Sequence, residues 1–235
     1  MNKQVVSIMM VVAGFIAGAL IFNSSGQEGM VVEDVDISAP VASDFLSLQP
    51  EIISLANEVL SKGEIAGLVH MREEEKLARD VYSMLYNEWN LSIFANIAQS
   101  EQTHTEAVRV LLEKYDINDP VIDDSIGVYT NKDFAQLYND FVTKGRVSIE
   151  EALIIGARIE ELDIYDLKTY GEVTDNADIN LVYDNLMRGS RNHLRAFVSQ
   201  IEARGGTFEP KYISKEVYED IVSSDREQGV RGKMR

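Results

Sequence analysis

The chain has 235 residues, 45% hydrophobic and 26% charged, which is enough for one buried core and predicts a single folded domain. A formal net charge of -17 excludes binding to nucleic acid through a basic face, because phosphate contacts need clustered Lys and Arg. The absence of cysteine excludes disulfides, thiolate nucleophiles, Cys-ligated zinc and iron–sulfur clusters, so a metal ion would have to be held by carboxylates and by the histidines His70, His104 and His193.

In chain order, residues 1–25 read as a targeting segment: Lys3 precedes an uncharged apolar run from Val5 to Phe22, followed by the polar Asn23-Ser24-Ser25-Gly26. The run is near the minimum that spans a bilayer and no Ala-x-Ala site follows it, so a cleaved signal peptide and a retained membrane anchor are both open. Either one exports the remainder, as a secreted protein or one anchored on the extracytoplasmic side, with contact to the membrane only through this segment. Residues 26–47 form an acidic linker, residues 48–212 the domain, and residues 213–235 a tail expected to be loose.

Within the domain, Pro50 to Val59 predicts a short lead-in helix stopped by Gly63. A long helix follows from about Glu64 to Trp89, with Leu68, Met71, Glu75, Ala78, Tyr82, Leu85 and Trp89 on one stripe. Glu75 therefore lies on a core-facing stripe, where an unpaired carboxylate is costly. Ser92 is the expected N-cap of a second helix reaching about Tyr115, and the short turn between the two makes them antiparallel neighbours. A crossover loop carrying a small helix near Lys132–Thr143 leads to a third long helix from Ser148 to Tyr170, ended by Gly171. Asp178 is the expected cap of a fourth, which runs to about Ala203, and a last short helix is expected near Lys215–Val222. The fold class is thus all-α: an antiparallel four-helix bundle with a crossover loop and short accessory helices.

A pattern occurs twice along these helices. Glu74-Glu75-x4-Asp80 repeats as Glu160-Glu161-x4-Asp166, and Asn96 to Ala107, carrying His104, aligns with Asn185 to Ala196, carrying His193. Glu101-Gln102-Thr103-His104 is Glu-x-x-His, whose i and i+3 positions leave one helical face together and can bind one ion or two adjacent ions. A duplicated helix pair that brings carboxylates and one histidine per half to similar depth is a way to build a metal site in a bundle core. His70, nearly opposite Glu75 on the helical wheel, reads as a surface or lead-helix contact rather than a ligand. Glu73 and Glu74 read as solvent-facing or paired to Arg, Tyr82 and Tyr165 as core residues, and Asp80 and Asp166 as members of a polar network with Arg191 or Arg195.

Glu75-x6-Tyr82 followed by Phe94-x6-Glu101-x2-His104 resembles the first two helices of the rubrerythrin and bacterioferritin branch of the ferritin-like superfamily. The region from Ile65 to Tyr212 resembles more closely the ferritin-like family called domain of unknown function 2202, through Met71 to Tyr82, Gly156 to Ile164 and Gly189 to Phe197. The resemblance implies a ferritin-like bundle whose ligands would be Glu75 on the first helix, Glu101 and His104 on the second, a glutamate on the third and His193 on the fourth. For the third, the repeat pairs Glu75 with Glu161, whereas the apolar stripe of Leu153, Ala157, Ile164 and Leu167 favours Glu160; both are kept. The chain departs from the pattern at Ser190, which stands where the glutamate of a second Glu-x-x-His belongs; this allows a dinuclear site, a single-metal site, or none.

Two functions of different classes follow. One is an exported bundle binding one or two ions of iron or manganese, with an oxidase-like or metal-handling role in which Glu101 would bridge. The alternative is a non-catalytic interaction or structural module that has lost or never had a metal site, its buried polar residues tied into salt bridges with Arg72, Arg79, Arg158 and Arg191. A closed storage cage conflicts with the apolar N-terminus and the tail, while a homodimer remains compatible.

Overall fold

The computed structural model describes residues 49–228, and among them every regular element is a helix. The expected targeting segment and linker lie outside the described residues; no described helix is long and apolar enough to cross a membrane. After a short helical segment over 49–54, the helices are α1 (Lys62–Trp89), α2 (Ser92–Lys114), α3 (Lys132–Gly145), α4 (Ile149–Gly171), α5 (Ala177–Ala203) and α6 (Lys215–Ser223).

Local chemistry explains the boundaries, and it corrects three expectations. Ser61 and Glu64 form a capping box at the start of α1: Ser61 N–H donates to Glu64 Oε2 at 2.7 Å, and Glu64 N–H donates to Ser61 Oγ at 3.2 Å. Gly63 therefore sits inside the first turn of α1 rather than stopping the lead-in helix, which ends earlier. Asn90 closes α1 in the left-handed conformation (φ 53°), which a short polar side chain tolerates. Ser92 is the first residue of α2, and its cap position is held by Leu91 without a side-chain bond. Ser148 caps α4 as expected, accepting from Glu151 N–H. Asp178 lies within the first turn of α5 rather than capping it, because Lys114 Nζ (2.6 Å) and Tyr115 OH (2.7 Å) draw its carboxylate to the end of α2.

The cross-helix contacts fix the bundle. Along α1 and α4, Glu64 meets Thr174, His70 meets Asp166 and Tyr82 meets Glu160, so these helices run antiparallel. Likewise Lys114 meets Asp178 and Glu101 meets His193 between α2 and α5. The hairpins α1–α2 and α4–α5 complete a ring in which every neighbour is antiparallel, as short connections require. At one end of the ring, Leu68, Met71, Leu111, Leu167, Ile179 and Leu186 form a buried apolar cluster. Each such side chain contributes about 1.5–3 kcal/mol.

Helix α3 packs on α1 and α4, so with the loop before it α1 is covered on more than its apolar stripe: residues 71–82 are all buried, including Arg72, Lys76, Arg79 and Asp80. The tail is not loose through Glu227. Tyr218 and Ile221 of α6 are buried, and Glu227 pairs with Arg191 and Arg195 of α5.

Candidate metal centre

Halfway along the bundle, four helices each contribute to one buried group: Glu75 from α1, Glu101 and His104 from α2, Glu160 from α4 and His193 from α5. All five are at most 3% exposed. Glu101 stands between two clusters, with Oε2 2.6 Å from His104 Nδ1 and Oε1 2.8 Å from His193 Nδ1. His104 Nδ1 lies 3.3 Å from Glu75 Oε2, and His193 Nδ1 lies 3.4 Å from Glu160 Oε2. The result is two three-residue sets, Glu75–Glu101–His104 and Glu101–Glu160–His193, that share Glu101.

The sequence builds this by register. Glu101 and His104 leave α2 on one face because they are three residues apart. The imidazole rings lie near-parallel with centroids 5.7 Å apart. His104 fits only because residue 189 is glycine: a Cβ there would lie 2.6 Å from His104 Cε1. Below the group, Tyr82 OH donates to Glu160 Oε1 at 2.6 Å and its ring packs with Phe94 and Phe197. Gly156 admits Phe197, since a Cβ there would approach its ring to 2.4 Å.

Electrostatically the group is unfinished. Both Glu75 oxygens and Glu101 Oε1 are buried without a hydrogen bond. Burial pushes the Glu75 carboxyl up to about 8, against the opposing pull of His104. Glu160 is also raised, by burial and then by Glu101. Burial would raise Glu101 as well, but the charges of His104 and His193 overcome it and hold Glu101 well below the usual carboxylate range. Burial opposes protonation of His193, yet Glu160 and Glu101 push it up to about 9; His104 is raised in the same way by Glu101 and Glu75.

The histidines leave both Glu75 oxygens and Glu101 Oε1 without a hydrogen bond, and a divalent cation would accept those oxygen lone pairs. Ligand atoms about 2.1 Å from a common ion sit about 3.0 Å apart when cis, close to the spacings found here. The residues therefore fit a metal ion. Among the described residues neither histidine Nε2 has a partner.

Five of the six sequence candidates are brought together, and Glu161 is not. It turns away to Arg158 and accepts the backbone N–H groups of Lys211, Tyr212 and Ile213. A one-residue step on a helix is a rotation of about 100°, so the apolar stripe rather than the repeat sets the orientation of the third-helix glutamate. Ser190 Oγ donates to Asp163 Oδ2, and Asp163 Oδ1 is buried and unpartnered. Asp163 follows Glu160 by three residues and puts a carboxylate beside Ser190; burial and then Glu75 and Glu74 hold it well above its ordinary pKa. An Asp three residues after a core-facing Glu was the available signal for this residue.

Other expectations are corrected. Glu73 is buried and accepts N–H from Thr130 and Asn131. Glu74 is buried beside His70 and Asp166 instead of facing solvent, because α4 covers that face of α1. Burial, then Asp166, pushes Glu74 up to about 7. Tyr165 is 44% exposed rather than in the core. Asp80 is held by Lys76 Nζ (2.5 Å), Arg79 and Tyr129 OH, and Arg191 and Arg195 turn to Glu227. Arg72 binds Asp119 and Thr105, and Arg158 binds Glu161. Arg79 and Arg158 thus pair with the buried carboxylates Asp80 and Glu161, as the structural-module reading expects, while the ion pairs of the Glu75, Glu101 and Glu160 group are with His104 and His193.

Known proteins match this chain in sequence and structure. The family model described as "Uncharacterized protein domain (DUF2202)" matches residues 64–225. An uncharacterized protein of Methanocaldococcus jannaschii, MJ0754, is 57% identical over 179 residues, covering 76% of this chain and 97% of the relative. The crystal structure of hypothetical protein MJ0754 superposes with a TM-score of 0.73, covering 74% of this chain and 99% of that one. The chain belongs to the DUF2202 family.

Proposed function

We propose that the bundle is a ferritin-like metalloprotein that binds one or two ions of iron or manganese, with an oxidase-like or metal-handling role outside the cytoplasm. The observation that carries this reading is the placement of Glu101 between two clusters, each completed by one histidine and one further carboxylate, all buried. Glu101 would bridge, Glu75 and His104 would complete one side, and Glu160 and His193 the other. An oxygen-rich site with limited imidazole suits iron or manganese. When bound, such a metal supplies redox chemistry toward oxygen or peroxide at open coordination positions.

The chain's own groups prepare the site. Tyr82 fixes the Glu160 carboxylate through a 2.6 Å hydrogen bond. Burial keeps bulk water away from all five side chains. His104 and His193 must lose their protons to ligate, so metal uptake should release protons and weaken as pH falls. Asp163, beside Ser190, offers the carboxylate that Ser190 lacks.

The test is metal content by elemental analysis of the protein purified without chelator and then exposed to Fe2+ or Mn2+. One or two equivalents per chain more than Glu101→Gln with His104→Gln retains is the expected result. Metal-free protein whose melting neither ion moves would leave the second reading, an interaction module; Ser190 in place of a ligand is the observation that favours it.

A further inference from the structure

Nearer the surface, between α1 and α4, lies a group that the centre does not use. His70 Nε2 is 3.0 Å from Asp166 Oδ2 and 3.3 Å from Glu74 Oε2, and the three ligand atoms lie within 4.8 Å of one another. His70 and Asp166 side chains are 13% and 16% exposed, so water reaches the edge of the group, while Glu74 is only 2% exposed. The imidazole is held in place by rings on two sides, Phe134 at 5.0 Å and Tyr170 at 5.2 Å between centroids. That clamp aims Nε2 at the carboxylates whatever its protonation state.

One nitrogen cannot satisfy two acids. An Nε2–H proton has a single good direction, and the 3.0 Å bond to Asp166 takes it. Glu74 is left buried with neither oxygen hydrogen-bonded, aimed into the group, which is an expensive arrangement for a carboxylate. Asp163 adds further negative charge within interaction range of Glu74. A cation that takes the Nε2 lone pair and one oxygen from each carboxylate would resolve all three deficits at once. The N–O spacings of 3.0 and 3.3 Å match cis positions about 2.1 Å from one ion, and the exposed edge leaves its other positions to water.

We propose that His70, Glu74 and Asp166 form a second site for a divalent cation, of the class that accepts one imidazole and two carboxylates, such as Mn2+, Fe2+ or Zn2+. It is separate from the Glu101 centre and does not depend on how that centre is read.

The experiment is equilibrium dialysis of the full-length, metal-depleted protein against Mn2+, with bound Mn2+ counted per chain. Removing two ligands in His70→Gln with Asp166→Asn should abolish one equivalent, and Asp166→Asn alone, altering only a partly exposed group, should weaken that equivalent at least about tenfold. In Glu101→Gln with His104→Gln the His70 equivalent should remain, and adding His70→Gln to that variant should remove it. A total in Glu101→Gln with His104→Gln unchanged from the parent's would sink the reading of the Glu101 centre and leave this site standing. Stoichiometry and affinity unchanged by both His70→Gln with Asp166→Asn and Asp166→Asn alone would overturn the proposal.

Discussion

Helix α1 carries two buried charge clusters on different faces, and they are finished differently. On the face toward the crossover loop, Asp80 meets Lys76, Arg79, Gly127 N–H and Tyr129 OH, and Arg72 meets Asp119 and Thr105. On the face toward the bundle axis, Glu75 has no hydrogen bond, and the cations beside it and its neighbours are titratable histidines. The first cluster is closed by fixed charge and backbone donors, as a structural network must be. The second, within the same helix and equally buried, is closed only by removable protons. The difference separates the part of the polar core completed by fixed charge from the part that could hold a metal ion.

The sharpest way to break this contrast is to open the closed cluster. Lys76→Met removes one of the two cations on buried Asp80 and should cost about 3–5 kcal/mol, measured by urea unfolding, to the same extent with and without added Mn2+. A metal dependence of that loss would merge the two clusters into one system.

The next effect belongs to the open cluster. Mn2+ at about a hundred times the dissociation constant of the Glu101 centre should contribute about 2.7 kcal/mol in the His70→Gln protein, and nothing once Glu101→Gln and His104→Gln are added to it. Without metal, the pH dependence should run one way. His193 is raised from 6.5 to about 9 and Glu75 from 4.5 to about 8, so each contributes stability that is full below its unfolded value and is lost as pH rises through its folded one. The metal-free melting temperature should therefore fall from about pH 4.5 to about pH 9, and bound metal should reverse that slope.

Smaller changes probe the frame. Gly189→Ala would press its methyl on His104 and should cost about 1–3 kcal/mol along with much of the metal affinity, read by melting and dialysis together. Tyr82→Phe removes the hydrogen bond to Glu160 and should cost about 1 kcal/mol, with weaker metal retention.

Much of this layout was legible in the sequence, for physical reasons. The stripe of Leu68, Met71, Glu75 and Tyr82 gave α1 its orientation, and the i,i+3 rule put Glu101 with His104. The boundaries slipped where tertiary partners overrode local signals, as when Lys114 and Tyr115 took Asp178 from the cap. The repeat misled at Glu161 because similarity of sequence does not fix rotation about the helix axis, whereas the apolar stripe does. Asp163 left only its three-residue spacing from Glu160 as a signal, and the His70 cluster left none, because each is completed by a residue at least 27 positions away in the chain. Surface and buried acids look alike until such partners are known.

On the function proposed above, Glu101 sits between metal ions, or beside one. Crystals of the protein loaded with Mn2+ and measured at the manganese absorption edge test it directly. Anomalous density about 2.1 Å from a Glu101 oxygen, in contact with His104, His193 or both, is the predicted result. Manganese bound elsewhere with none at Glu101, or no ordered manganese under loading conditions, would contradict it.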